Sequence, residues 1–234
     1  MWRSLKRRCH TAETSAETVE TTKRKILEAA LDHVPLSGWT EESVAAGALS
    51  LGLPSVAHGL FPDPPVALIA HFYGKCDLEL RKKMTELQSN TGKTSTSAFV
   101  AQAVRWRLEM VQPYWHNWDE ALAVLALPTN VSLGFSLSFR VPHSIWLAAG
   151  DKAADMSWYS KRLSLLTVYV STELFMLQDT SEEFHATWEF MERRMDALKR
   201  FANFRKTVSD NTGIAQDLAF SAFHLAKNAV GMRH

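Results

Sequence analysis

Helical spacing is the feature that most constrains the fold of this chain, because apolar residues recur three or four positions apart through most of it. One such series near the C-terminal end consists of Phe184, Trp188, Met191, Met195 and Leu198. This spacing places the five side chains on one face of a helix. Residues 155–178 are apolar on most faces, as expected for a helix buried inside a bundle. The sequence therefore predicts an all-α protein.

Residues 131–149 are the one segment with a competing interpretation. Their short apolar and polar alternation is strand-like. A single strand with no partner strand is not stable, however. We therefore predict a helix here, with Gly134 and Pro142 as irregularities and Gly150-Asp151 as its end.

Local signals predict where other helices begin. Asp63 followed by Pro64 is typical of an N-cap with proline in the first helical position, and the helix should run to about Leu87. Thr180 and Glu183 form the spacing of a capping box and predict another helix start. The polar segment 89–97 predicts a loop.

Composition limits the class of protein. Apolar residues make up 46% of the 234 positions and charged residues 22%, which is the balance of a globular protein with a buried core. No apolar run approaches the roughly 18 to 20 residues that a membrane-spanning helix needs. Cys9 and Cys76 form no CxxC pair, so neither a disulfide framework nor a zinc site is predicted.

The N-terminal segment is basic. The first ten residues, MWRSLKRRCH, contain four Lys or Arg and no acidic residue. A basic segment with interspersed apolar residues is typical of a mitochondrial transit peptide, which we predict over residues 1–21. The alternative is a solvated N-terminal tail.

Residues 38–62 have the layout of a helix-turn-helix, with a first helix opened by Thr40, a turn at Gly52 and a second helix opened by Pro54. DNA affinity that does not depend on sequence comes from Lys and Arg that neutralise phosphates. Residues 26–74 contain no Lys or Arg and carry five acidic residues. This helix-turn-helix is therefore predicted to be structural.

No catalytic motif is present. The sequence contains no GxSxG, GxGxxG, P-loop, HExxH or EF-hand pattern. Its single Glu-x-x-His, Glu182 to His185, falls short of a di-iron bundle site, which needs two such pairs. We predict no enzyme activity, no cofactor and no metal site.

Residues 212–231 predict a strongly amphipathic helix. At about 100° per residue, most of its apolar side chains share one half of the helix. We predict that it associates with a membrane through Ile214, Leu218, Phe220 and Leu225. The alternative is that it packs on the rest of the protein.

Three segments carry a resemblance to a known family. They are ILEAALDHVPLSGWTEESVAAGALSLGLPSVAHGLF (26–61), WLAAGDKAADMSWYSKR (146–162) and TELFMLQDTSEEFHATWEFMERRM (172–195). The first has the layout of the N-terminal unit of TetR-type repressors. All three together resemble the Coq-nine family of ubiquinone-biosynthesis accessory proteins, over about residues 24–232.

The resemblance implies a TetR-like helical bundle and a mitochondrial, homodimeric, lipid-binding protein without activity of its own. It would bind phospholipid and ubiquinone intermediates at the matrix side of the inner membrane. There it would present them to the di-iron demethoxyubiquinone hydroxylase and contact other ubiquinone-synthesis proteins. The implied organisation is a leader (1–21), a helix-turn-helix unit (22–88), a lipid-binding and dimerisation body (98–205) and a membrane-associating helix (212–231).

Two sets of candidate site residues follow. The predicted lipid-contacting residues are Trp106, Met110, Trp115, Leu122, Leu125, Phe135, Leu166, Tyr169, Phe175 and Met176. The predicted partner-contacting residues are Trp146, Asp155, Trp158 and Tyr159. Ordinary core packing is the alternative for the first set. For Trp158 and Tyr159 the alternative is that one of them packs inward. For the protein as a whole, the alternatives are a ligand-responsive TetR-type transcriptional regulator and an enzyme of a type without a recognised motif.

Overall fold

A computed structural model describes residues 18–90, 95–151 and 156–211. Over these ranges the protein consists of helices and contains no strand, which confirms the all-α prediction. The α-helices are α1 (18–30), α2 (Val34–Ser37), α3 (Glu41–Ser50), α4 (Pro64–Asn90), α5 (Thr96–Glu109), α6 (Trp118–Ala126), α7 (Val131–Ala148), α8 (Met156–Met176) and α9 (His185–Asn211). Within the same ranges they are connected by 3-10 helices at Leu31–His33, Ser55–Leu60, Gln112–Asn117 and Glu182–Phe184. None of the described helices combines the length and the hydropathy that crossing a membrane requires.

The chain forms two compact units. The first contains the described residues up to Cys76 together with 111–130. Its core is an aromatic cluster in which the rings of Phe72 and Trp118 each lie within 5.4 Å of the Trp39 ring, between centroids. The backbone N–H of Trp39 also donates to Glu120 Oε2 at 3.1 Å. These contacts hold α6 against the segment that follows α2 within this unit.

The second unit contains residues 77–90 and 95–110 and the described residues from 131 onward. Within it α8 packs against both α7 and α9, and α5 packs against α7 and α9. Its core is built from Ala103, Val104, Leu108, Val141, Ile145, Leu165, Val168, Tyr169, Met191 and Met195. The segment 131–149 forms α7 up to Ala148, with Pro142 inside the helix, as predicted.

The helix-turn-helix prediction is confirmed in its first half and corrected in its second. Thr40 caps α3 by accepting a hydrogen bond from the backbone N–H of Ser43 at 3.4 Å. Gly52 makes the turn at φ +74°, a conformation that favours glycine. The segment after Pro54 is a 3-10 helix with no buried residue rather than an α-helix. A six-residue stretch without a buried face lacks the packing that would favour an α-helix.

We expect the protein to show no sequence-selective binding to duplex DNA in a mobility-shift assay. Residues 26–74 carry no Lys or Arg, and the exposed Glu41 and Glu42 form the first turn of α3, so this surface repels phosphate. A helix-turn-helix repressor with its operator serves as the positive control. Salt-sensitive binding of the chain to one duplex at nanomolar concentration would contradict the expectation.

The two predicted helix starts differ in outcome. Asp63 caps α4 as predicted, since its Oδ1 accepts from the backbone N–H of Val66 at 3.2 Å, and α4 continues to Asn90. The capping box of Thr180 and Glu183 is wrong, because Glu183 has a φ of +51° inside a 3-10 turn and α9 begins only at His185. Ser181 Oγ instead accepts from the backbone N–H of Ala186 at 3.0 Å.

Asp179 completes the cap of α9. Its carboxylate accepts from the backbone N–H groups of Ser181 and Thr187, both at 2.8 Å, and from the Thr187 hydroxyl. Burial acts to raise the pKa of Asp179, but the hydrogen bonds from Ser181 and Thr187 outweigh it and lower the pKa to about 2. The ionised carboxylate is therefore the capping species at neutral pH.

Candidate functional site

Four aromatic side chains of the second unit form a row that reaches the surface, which we call the aromatic patch: Phe135 and Phe139 of α7, and Trp158 and Tyr159 of α8. Their ring centroids follow one another at 5.8, 6.3 and 4.7 Å. Tyr159 is 44% exposed and Phe135 is 37% exposed. Phe139 and Trp158, between them, are half-buried. Aromatic side chains that reach the surface together are typical of interaction sites.

Arg162 is a buried residue that supports Trp158 of the aromatic patch from the protein interior. Only 1% of this residue is exposed, and its guanidinium lies 4.1 Å from the centroid of the Trp158 ring. Its Nη1 donates to the carbonyl oxygen of Trp158 at 3.1 Å, and its Nε donates to Nδ1 of His143 at 3.2 Å. Arg162 therefore contacts both the ring and the backbone of Trp158.

The hydrogen bond from Arg162 Nε requires His143 to be a neutral imidazole. Burial, followed by the positive charge of Arg162, lowers the pKa of His143. A neutral imidazole can accept at Nδ1, as it does from Arg162. The ring also lies 5.9 Å from that of Trp158, so it supports the patch from the α7 side.

Asp151 holds Arg162 in place. Gly150 ends α7 at φ +80°, and Asp151 follows with its side chain 5% exposed. Its Oδ2 lies 2.9 Å from Arg162 Nη1, and its Oδ1 lies 2.6 Å from Lys161 Nζ. A buried carboxylate with two cationic partners is compensated for the loss of its hydration.

A cavity of about 350 Å³ lies in the same unit. Side chains of α5, α7, α8 and α9 form its wall, which is mostly apolar. The lining residues are Thr96, Ser97, Val100, Trp146, Ser160, Lys161, Ser164, Leu165, Met195, Leu198 and Lys199. A concave apolar wall with a few polar groups is typical of a site for a small ligand.

The predicted partner-contacting residues lie in different places. Trp158 and Tyr159 belong to the aromatic patch. Trp146 lines the cavity, and its Nε1 donates to the carbonyl oxygen of Lys161 at 3.1 Å. Asp155 lies outside the described residues, as do the predicted membrane-contacting residues Ile214, Leu218, Phe220 and Leu225.

The predicted lipid-contacting residues are spread over both units. Trp115, Leu122 and Leu125 belong to the first unit, whereas Trp106, Met110, Phe135, Leu166, Tyr169, Phe175 and Met176 belong to the second. None of the ten is among the residues that line the cavity. Their contact with lipid stays a prediction.

Tyr169 is in a polar part of the core. It is fully buried, its hydroxyl donates to Glu173 Oε1 at 2.9 Å, and the Arg107 guanidinium lies 5.8 Å from its ring centroid. Asp77, in the same unit, is 4% exposed and pairs with Arg140 at 2.7 Å. Burial raises the pKa of Asp77, against the opposing charges of Arg140 and Arg107.

The lining residues that the sequence did not indicate are chiefly Leu165 and the polar residues of α8 beside it. Leu165 was one apolar residue among many in a helix without a distinct polar face. Ser160, Lys161 and Ser164 are spaced so that they share a face of α8, and this spacing was the available signal. Among the described residues, no group of three or more His, Cys, Asp or Glu could hold a metal ion.

Two family models match the chain. The model described as "Ubiquinone biosynthesis protein COQ9, N-terminal domain" matches residues 20–49, and the COQ9 model matches residues 131–202. The second match includes Asp151, the aromatic patch and the α7, α8 and α9 walls of the cavity.

Proteins named ubiquinone biosynthesis protein COQ9 are similar to this chain over most of their length. The chain is 38% identical over 217 residues to the mitochondrial ubiquinone biosynthesis protein COQ9 of Drosophila melanogaster, covering 92% of this chain and 66% of that protein. It is 37% identical over 226 residues to the human COQ9, covering 94% and 71%. It is 37% identical over 223 residues to COQ9-B of Xenopus laevis, covering 92% and 75%.

Proposed function

The chain belongs to the COQ9 family of ubiquinone biosynthesis proteins, and from that membership we propose that it acts in ubiquinone biosynthesis in the mitochondrion. Its role there is to bind isoprenoid quinone intermediates and present them to the demethoxyubiquinone hydroxylase at the matrix side of the inner membrane. The hydroxylase, rather than this chain, performs the chemistry. We further propose that the protein acts as a homodimer and also takes up phospholipid.

The cavity is the observation that carries the lipid-binding part of the proposal. Its wall includes Val100, Leu165 and Leu198, which suit an isoprenoid chain, and Ser160, Ser164 and Lys161, which suit the oxygens of a ring. A volume of about 350 Å³ is at the lower end of typical ligand sites, roughly 300 to 1,000 Å³. It suits one end of a long lipid whose remainder extends out of the cavity.

The aromatic patch supports the presentation part of the proposal. Tyr and Trp are enriched where protein partners make their strongest contacts, because they bury a large area with few rotatable bonds. The Trp158 ring packs on the buried guanidinium of Arg162, so its position is already fixed in the free protein. A surface fixed in advance loses less conformational entropy on association.

Lipids that co-purify with the protein test the ligand assignment. We expect mass spectrometry to find quinone intermediates with the wild type and about tenfold less with Ser164→Phe, corresponding to about 1.4 kcal/mol in binding free energy. The added ring occupies the cavity, because Ser164 lines it. Thr167→Phe, on the exposed side of the same helix, is the matched control and should retain the lipid. Equal lipid content in all three proteins would contradict the assignment.

Membrane association is a separate expectation. Replacing Ile214, Leu218 and Leu225 by Ser should abolish flotation with liposomes, since each large apolar side chain contributes roughly 1.5 to 3 kcal/mol when fully buried. The melting temperature should stay near that of the wild type. The control replaces Gln216, His224 and Asn228, on the polar half, by Ser and should still float. Preserved flotation of the first variant, or a large fall in its melting temperature, would contradict the membrane role.

A further inference from the structure

We propose that Asp151 couples the occupancy of the cavity to the geometry of the aromatic patch. The coupling responds to a ligand whose anionic or hydrogen-bond-accepting oxygen reaches Lys161. This inference rests on the proposed function, because it treats the cavity as the ligand site and the patch as the partner surface. It assigns to Asp151 the role of a positioning residue between the two.

The carboxylate of Asp151 is shared between two cations that serve different surfaces. Oδ1 pairs with Lys161 Nζ at 2.6 Å, and Oδ2 pairs with Arg162 Nη1 at 2.9 Å. The backbone N–H of Asp151 donates to the carbonyl oxygen of Trp146 at 3.0 Å, so the residue is anchored to the end of α7. A carboxylate that is 5% exposed has little water with which to replace either partner.

Lys161 connects Asp151 to the cavity. It lines the cavity together with Trp146, and its Nζ lies 5.5 Å from the centroid of the Trp146 ring. The part of the chain that the structure describes lines the cavity with two lysines and no carboxylate. A ligand oxygen in the cavity therefore meets an ammonium group, which has three donors and can turn from Asp151 toward the ligand.

Arg162 connects Asp151 to the aromatic patch. It also contacts the ring and carbonyl oxygen of Trp158 and the imidazole of His143. Arg162 is 1% exposed, so its guanidinium is buried beside these groups. A change in how Asp151 holds the guanidinium must therefore change the position or the freedom of the Trp158 ring.

The shared carboxylate of Asp151 determines whether the ligand and the hydroxylase favour or oppose each other's binding. When a ligand oxygen draws Lys161 away, both oxygens of Asp151 can accept from Arg162, and such bidentate pairs are the stronger and more directional ones. Arg162 and Trp158 then become more rigidly placed. Ligand and hydroxylase should favour each other's binding, by about 5- to 10-fold, at the lower end of typical coupling between sites.

Fluorine NMR of protein labelled with 5-fluorotryptophan tests the coupling without the hydroxylase. The probe is a dimethoxy-methyl-benzoquinone with a decyl chain, and decylbenzene is the matched probe without oxygens. Replacing Trp158 by Phe assigns its resonance. We expect the quinone at saturation to shift or sharpen the Trp158 resonance, and decylbenzene to leave it unchanged.

Two variants separate coupling from general stability. Asp151→Asn keeps the shape of the side chain but removes its charge, and should abolish the response of Trp158 to the quinone. Asp196→Asn breaks the other Asp–Lys pair near the cavity, with Lys199 at 2.9 Å, and should retain the response. The resonance of Trp188, buried in the second unit, should stay unchanged in both variants and report the fold of that unit, and those of Trp39 and Trp118 report the fold of the first unit.

The proposal is overturned if the quinone fails to bind, if it saturates without affecting Trp158, or if Asp151→Asn responds like the wild type. In a second experiment, the affinity of the hydroxylase for this chain is measured with and without the quinone. A responding Trp158 with no hydroxylase binding would contradict the partner role and leave the coupling intact. Hydroxylase binding of equal affinity in both conditions, with a silent Trp158, would contradict the coupling and leave the partner role intact.

Discussion

Replacing Trp158 and Tyr159 together by alanine should abolish association with the demethoxyubiquinone hydroxylase while the chain stays folded. Truncating an aromatic anchor at an interface commonly costs about 2 kcal/mol or more, so the double variant should weaken binding by roughly two to three orders of magnitude. Tyr159 is 44% exposed, and little of the core is lost with it. Pull-down and a binding titration measure the effect.

The control for this variant replaces two exposed apolar residues outside the aromatic patch. Leu147 is 63% exposed and Leu174 is 50% exposed, and their joint replacement by alanine removes a similar kind of surface from α7 and α8. This control should retain the hydroxylase. Equal retention by the Trp158 and Tyr159 variant would show that the hydroxylase does not bind at the aromatic patch.

Gly47→Ala should destabilise the first unit markedly. A Cβ at position 47 would lie 2.6 Å from the backbone nitrogen of Ala30 and 2.8 Å from the carbonyl oxygen of Ile26. These are backbone atoms of α1, so α1 and α3 must separate. Overpacking typically costs 1 to 3 kcal/mol, and we expect a loss of about 2 kcal/mol in the free energy of unfolding, measured by denaturant titration.

Gly74→Ala is the matched control in the same unit. Gly74 lies inside α4, and a Cβ there would meet no atom within 4 Å. Replacing glycine by alanine inside a helix stabilises it by up to about 1 kcal/mol. The two substitutions should therefore change stability in opposite directions. A neutral or stabilising Gly47→Ala would show that α1 and α3 are not in such close contact.

Much of the helical architecture could be predicted because its signals are local. Thr40, Gly52 and Asp63 set helix boundaries through hydrogen bonds and backbone conformation within a few residues. Membership of the Coq-nine family, predicted from three sequence segments, is confirmed by the family-model matches and by the identity to the human protein. The predicted start of α9 was wrong, because neither the positive φ of Glu183 nor the cap from Asp179 is indicated by a simple residue spacing.

The cavity could not be predicted, because α8 is apolar on most of its faces. Leu166 was predicted to contact lipid, whereas its neighbour Leu165 lines the cavity. Successive residues of a helix point about 100° apart, and a helix without a polar face does not indicate which of them faces inward. The pairing of Asp151 with both Lys161 and Arg162 was also missed, since Gly150-Asp151 was predicted to end a helix and no ion pair was predicted for it.

The proposed role of this chain is to deliver a quinone intermediate to the hydroxylase. Its most direct test is the rate at which purified hydroxylase converts demethoxyubiquinone held in liposomes, with and without the chain. We predict that the wild-type chain accelerates conversion and that the Trp158 and Tyr159 double variant does not. Conversion at the same rate without the chain, or with the double variant in its place, would contradict the claim.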